Sequence, residues 1–378
     1  MTLVVDFHAL QTVPPSLINR DDTGAPKSAI FGGVPRQRVS SQSWKRAIRR
    51  HFEMEFGEDT VGFRSRQLPE QIALKARELN PELTEEDALK GVRELFKRAG
   101  SGIKLVEPSK PKDDAEEQDV SIYPTTAALL FLSPSQIERA AQAIVEKQGE
   151  KFNKKEAQEI LDTEHSIDVA MFGRMLADAP AFNVDASVQV AHAIGVHESQ
   201  PEFDYYTAVD DVMEDAEETG AGMIGTTQMM SSTLYRFATV NVEALRENLG
   251  NEEAARKATV QFLEAFIQSM PTGKQNTFAN NTLPELVYVA VRDTRSVSLV
   301  NAFEEPIEPE RGSRATAAAK ALANEERGIE EAYAMKPLAS FVLSTKKDLG
   351  AAFDGLAENV VWSELYARLE EALEAESD

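Results

Sequence analysis

Val34-Pro35-Arg36-Gln37-Arg38-Val39-Ser40-Ser41-Gln42-Ser43-Trp44-Lys45-Arg46-Ala47-Ile48-Arg49-Arg50-His51-Phe52 changes its period in the middle. Up to Val39 a strand-like alternation places Arg36 and Arg38 on one face, so both guanidinium groups point one way. From Gln42 to about Glu55, the residues Trp44, Ala47, Ile48, His51 and Phe52 recur at the spacing of an apolar helical stripe, which Ser40 or Ser41 can cap. On the opposite side positions 42, 45 and 49 fall within about 60° of arc, flanked by Arg46 and Arg50. Lys45/Arg49 and Arg46/Arg50 are like-charge pairs one turn apart, which weaken a helix unless an anion offsets them. The offset comes either from the protein's own carboxylates, leaving a solvated basic face, or from a phosphate backbone. The second case is strengthened by Arg36, Arg38 and the free N–H groups of the helix N-terminus. Contacts of that kind track a backbone and carry no base specificity.

Working outward, a strand is expected over residues 3–9, running into Pro14-Pro15 and a polar turn at 19–24. Helical patterns cover 68–79, 84–98, 135–147 and 153–175, interrupted by a charged loop over 104–118. Strands follow at 188–194 and 230–240, the latter with Tyr235 and Phe237 on one face, then an amphipathic helix over 251–270 and a strand over 286–291. Stripped of insertions, the order is strand, helix, strand, strand, helix, strand. That is an α+β chain with the split βαβ arrangement of ferredoxin-like and RNA-recognition folds. Residues 196–225 show no clean period and enlarge the connection between the two middle strands. From 313 the pattern gives an Ala-rich helix, a strand near 338–344 and an acidic helix ending in Glu371–Glu376.

The chain has 378 residues, enough for two or three structural units, and its 42% hydrophobic content supports a sizeable core. It has no Cys, so disulfides and thiolate metal sites are excluded and a reducing compartment is expected. No signal-like or long apolar segment opens it, which points to the cytoplasm and away from a membrane. A net charge of −23 argues against nucleic acid at first sight. Within residues 1–50, however, Arg20, Lys27, Arg36, Arg38, Lys45, Arg46, Arg49 and Arg50 outnumber Asp6, Asp21 and Asp22. A local basic patch on an acidic protein combines anion binding in one place with repulsion of polyanions elsewhere.

Catalytic signatures are mostly missing. The five histidines show no His-Glu-x-x-His spacing. Asp21-Asp22 and Asp210-Asp211 could hold Mg²⁺, although adjacent acids are common in turns. Gly273-Lys274-Gln275-Asn276-Thr277 lacks the context of a phosphate-binding Walker loop and reads as a polar turn or a second phosphate contact. Tyr205 and Tyr206 either stack on bases or simply pack.

Several runs, in order, resemble the CasC-type backbone subunits of type I-E CRISPR Cascade complexes. They are Leu17-Ile18-Asn19-Arg20-Asp21-Asp22, Ala29-Ile30-Phe31-Gly32-Gly33, the run from Arg38 to Ala47, Gly173-Arg174-Met175, Ala191-His192-Ala193-Ile194, Tyr206 to Asp211, Lys274-Gln275 and Val300 to Glu304. The resemblance fades beyond residue 305. It implies an RNA-recognition-like palm with inserted helical fingers and a thumb hairpin. Residues 1–56 would begin the palm, 57–181 form the fingers, 182–195 return as a palm strand, 196–225 form the thumb and 226–378 complete the palm with an acidic tail. Several copies would stack helically along one CRISPR RNA beside the other Cascade subunits: large, small and the two that bind the RNA ends. Target DNA would be met through the RNA–DNA hybrid, whose pairing supplies specificity.

The same resemblance implies that Arg20, Ser40, Gln42, Lys45 and Arg49 hold the RNA backbone. Met175, Tyr206, Thr207 and Ile224 would lie against bases near each kink, and Lys154 and Lys155 would touch target DNA. The residue-level reading adds Arg38, Arg46, Lys274 and Gln275 to the RNA-binding set. No cofactor, metal or catalysis is expected, the rival being a metal-dependent ribonuclease built on Asp21 or Asp22. The chain departs from the family pattern in a longer, more acidic thumb over 214–222 and in Trp44, which widens the apolar side of the first helix.

Overall fold

A computed structural model describes residues 2–57, 61–100, 103–108, 121–176, 179–208, 223–308 and 312–376. The chain divides into two compact units, one of residues 1–51, 189–242 and 259–378, the other of residues 52–188 and 243–258.

The first unit is built on the strand Val4–Ser16, which continues past the expected Ala9 through Pro14-Pro15. It pairs antiparallel with Met223–Asn241 on one side and Leu286–Arg292 on the other, Phe7 lying opposite both Ala238 and Val289. Beyond Met223–Asn241 come Ala193–Gly195 and the hairpin Ser28–Phe31/Val34–Val39; beyond Leu286–Arg292 come Ala339–Ser344 and Glu358–Asn359. The four strands anticipated for the core therefore lie side by side as fourth, first, third, second. This sheet is covered on both faces, so polar residues of the first strand are buried along with apolar ones: Asp6, His8 and Gln11 are all at 0% exposure.

One face sets Phe7 against Phe262 and Phe266, with ring centroids 5.5 and 6.0 Å apart. On the other, His8 stacks with Tyr235 and Tyr288. That aromatic layer is closed over by Leu299, Phe303 and the alanine-rich side of the helix Arg314–Tyr333. Arg292, fully buried, donates to Asp6 and Glu326 and so ties the helix to the sheet. The acidic tail is thus part of the fold: its strand Ala339–Ser344 extends the sheet and Trp362–Ala375 is helical.

Two sequence expectations are corrected in this unit. The strand over 188–194 is interrupted, as Val188–Val190 and Ala193–Gly195, with exposed His192 between. The strand over 230–240 is only the second half of a 19-residue strand whose first half pairs with Glu202–Ala208 as a hairpin. The acidic stretch 214–222 and Asp210-Asp211 lie outside the described residues, as does most of the charged loop 104–118.

The second unit packs the helices Leu68–Leu79, Glu85–Ala99, Pro134–Lys147 and Lys154–Asp162 around an apolar core that includes Val92, Phe96 and Ile144. Thr84 caps the second of these, and Ser133/Gln136 and Asn153/Glu156 form capping boxes at the third and fourth. The helix expected over 153–175 is broken. Thr163 is extended, Glu164 has a positive φ of 55°, and a new helix, Ile167–Phe172, starts after Ser166. No described helix is long and apolar enough to cross a membrane.

Candidate nucleic-acid interface

The helix Ser41–Phe56 begins where the strand Val34–Val39 ends. Its entry is fixed by Ser40, whose carbonyl accepts from the N–H groups of Ser43 and Trp44 and whose own N–H donates to Asn19 Oδ1 at 2.9 Å. Trp44 and Ile48 are buried, which turns the basic positions outward. The neighbouring turn is held by Asp21, whose Oδ1 accepts from Thr23 N, Thr23 Oγ1 and Ala25 N. Those hydrogen bonds, led by the Thr23 hydroxyl, hold its carboxyl below the usual range. Arg20 is left exposed beside the turn.

A cleft of about 510 Å³ opens here, lined by Leu17 to Arg20, by Ser43, Arg46, Ala47 and Arg50 of the helix, and by Met270 to Lys274. Its charged lining is Arg20, Arg46, Arg50 and Lys274, with no carboxylate. All four are exposed, and among the described residues none makes an ion pair. Lys274 adopts a left-handed φ of 49°. Gly273 sits so close to the Ile18 carbonyl that a Cβ would overlap it, so glycine is what lets the loop close against residues 17–18.

Gln42, Lys45 and Arg49 form the adjoining ridge, roughly 100° round the helix from the cleft-lining positions. Partial burial, then the like charge of Arg49, lowers the pKa of Lys45.

Other expected residues do not line this cleft. Arg36 is at 0% exposure and donates to the carbonyls of Phe31, Gly195, Phe303 and Glu304 at 3.0–3.2 Å. It fastens the Ser28–Val39 hairpin and is unavailable to phosphate, because sheet and loop cover the face that the alternation assigned to it. Arg38 is half-buried, 3.1 Å from His192 Nδ1. Ser40 is 6% exposed. Gln275 donates to Asn281 Oδ1 at 2.6 Å within its own loop, while its neighbour Lys274 faces the cleft.

On the hairpin, Thr207 pairs with Ile224, and Tyr206 lies over Gly225 so closely that a Cβ there would meet the phenol ring. The opposite face presents Phe203 and Tyr205, 70% and 64% exposed. Phe203 was not among the expected residues. In the second unit, Gly173 permits close approach of the Val184 carbonyl, and Arg174 is buried, donating to the carbonyls of Phe182 and Phe131 and to Asp162. Met175, 85% exposed, projects from that anchor. Lys154 and Lys155 are exposed at the start of the helix Lys154–Asp162, Lys155 3.5 Å from Glu159. Among the described residues no cluster of three or more His, Asp or Glu side chains has metal-ligating geometry.

A sequence model of the family described as CT1975-like protein matches residues 5–367. The match runs well past 305, so residues 306–367 belong to the shared pattern, contrary to the expectation that it fades there. No curated protein matches the chain. Among solved structures, a chain described as "CRISPR RNA-guided surveillance complex, pre-nicking" is similar at 34% identity and a TM-score of 0.81, over 98% of this chain and 100% of that one. Another, described as "CRISPR RNA-guided surveillance complex", is similar at 30% identity and a TM-score of 0.73, over 98% and 99%.

Proposed function

The chain belongs to the CT1975-like protein family, and from that premise we propose that it is the RNA-binding backbone subunit of a CRISPR RNA-guided surveillance complex. In this reading several copies lie along one CRISPR RNA in a type I-E Cascade arrangement, of the kind built from CasC subunits. The single observation that carries it is the cleft of Arg20, Arg46, Arg50 and Lys274. A protein of net charge −23 has carboxylates in excess, yet among the described residues these four cations have none as a partner. Like charges gathered on a surface are stabilised by a polyanion, and a phosphate backbone supplies one.

The first unit is the palm, with its fourth-first-third-second strand order as the RNA-recognition feature, and the second unit the fingers. It differs from a simple RNA-recognition module in how it meets RNA. Such modules stack bases on an open sheet face. Here that face carries His8, Tyr235 and Tyr288 under the helix Arg314–Tyr333, so contact falls to the basic helix, the Met270–Lys274 segment and the hairpin. The hairpin is the thumb, with Tyr206, Thr207 and Ile224 beside bases, and Met175 is a further base contact from the fingers.

The subunit does no chemistry in this reading. Co-expression with its complex partners and a CRISPR RNA, followed by particle mass and the 260/280 absorbance ratio, tests it. A large nucleoprotein particle holding several copies is expected, and a nucleic-acid-free monomer would overturn the reading. Complementary RNA incubated with that particle and Mg²⁺ is expected to stay intact. Cleavage lost on Asp22→Ala would make the chain a ribonuclease.

A further inference from the structure

Arg236, on the strand Met223–Asn241, is 2% exposed and has no carboxylate partner among the described residues. Its guanidinium lies 3.7 Å from the Trp44 ring centroid and 4.5 Å from that of Phe266. It donates to Gln11 Oε1 at 2.6 Å and to the Phe266 carbonyl. Burial alone pushes its pKa down to about 9, the signature of a cation that its surroundings do not neutralise. A buried charge without an anion is costly to keep, so its partners show what it is kept for.

Those partners lead to the cleft. Gln11 turns its other end to the loop: Nε2 donates to the Thr282 carbonyl at 2.7 Å and lies 3.3 Å from Thr282 Oγ1 and 3.8 Å from Met270 Sδ. Met270 and Thr282 bracket the segment bearing Lys274, and Met270 itself lines the cleft. Trp44, under the guanidinium, adjoins Ser43 in the helix that supplies Arg46 and Arg50. One buried side chain thus touches the helix directly and the loop through one intermediary.

Resting on the phosphate reading of the cleft, we infer that Arg236 is a positioning residue that, through Gln11, keeps Lys274 in register with Arg46 and Arg50. It touches no ligand itself. Without it the loop from 270 to 282 loses its tether and Lys274 leaves the cleft, although its charge remains on the surface.

The test uses the full chain and a 5′-fluorescein-labelled single-stranded RNA, with Kd measured by anisotropy across a salt series for wild type, Lys274→Ala, Arg236→Met, Gln11→Glu and each of the last two combined with Lys274→Ala. Gln11→Glu keeps an acceptor for Arg236 but cannot donate to Thr282, so it cuts the link to the loop while leaving the aromatic sandwich in place. The expected result is a loss of affinity on the order of tenfold for each single variant and a salt slope shallower by about one phosphate contact. Adding Lys274→Ala to either positioning variant should then change nothing further. A residue needed only for folding lowers the active fraction but leaves both the slope and the additivity untouched. Wild-type slopes and additive losses in folded Arg236→Met and Gln11→Glu would overturn the proposal alone, and should only one of them fold, the other decides. Loss of the fold in both, read by circular dichroism, would make Arg236 a core residue only and also overturn it. No binding by wild type would overturn the RNA reading itself.

Discussion

Arg36 and Arg46 carry the same guanidinium, yet one is enclosed by four carbonyl oxygens and the other faces an open cleft. Truncating them should therefore act on different observables. Arg36→Met leaves buried acceptors unpaired and is expected to cost about 3–5 kcal/mol in urea unfolding. Arg46→Ala should leave unfolding nearly unchanged and weaken RNA binding uniformly across sequences, with the salt slope smaller by roughly 0.7, one contact to single-stranded RNA. His165 in the second unit gives a pH signature. Burial first, then Arg174 and Arg139, lowers its pKa to about 4, and Gln136 Nε2, 3.3 Å from its Nδ1, is placed to donate to the neutral ring. The unfolded chain takes up this proton near pH 6.5 and the folded chain only near 4, so stability falls as pH drops through that window. The loss is at most about 3 kcal/mol. In His165→Gln, urea midpoints measured between pH 7 and 4 should decline less steeply than in wild type.

At the scale of elements, glycines mark where pieces are pressed together. Gly32 turns the Ser28–Val39 hairpin at φ 59°, and a Cβ there would overlap the Glu304 carbonyl that Arg36 also uses. Gly32→Ala is expected to cost about 2–4 kcal/mol, measured by thermal or urea unfolding, because strain and clash coincide. An unchanged midpoint would show that the hairpin is not latched there. Periodicity identified the basic helix and the helices Leu68–Leu79, Glu85–Ala99 and Pro134–Lys147, since each buries one side, and the first strand by its alternation, although the sheet buries both of that strand's faces. It missed the hairpin of Glu202–Ala208 with Met223–Met229, where the described side chains of the first strand are exposed on both faces and leave no alternation to read.

For the whole molecule, a cleft with four cations and no carboxylate among the described residues predicts that the proposed RNA binding depends strongly on salt. Four phosphate contacts to single-stranded RNA predict a slope of log affinity against log salt near −3 for each bound protomer, roughly 0.7 per contact. A slope near zero would remove the cleft from the interface. The sequence by itself determined the order of core strands and helices, the basic stripe from Gln42 to Arg50 and the local excess of positive charge, because these are written in residues a few positions apart. Only the tertiary structure decided that Lys274 joins Arg20, Arg46 and Arg50, that Arg36 is enclosed, and that the aromatic sheet face is closed by the C-terminal helix. Spacing along a chain says which side chains share a face, whereas what covers that face depends on segments brought to it from far along the sequence by burial of the core.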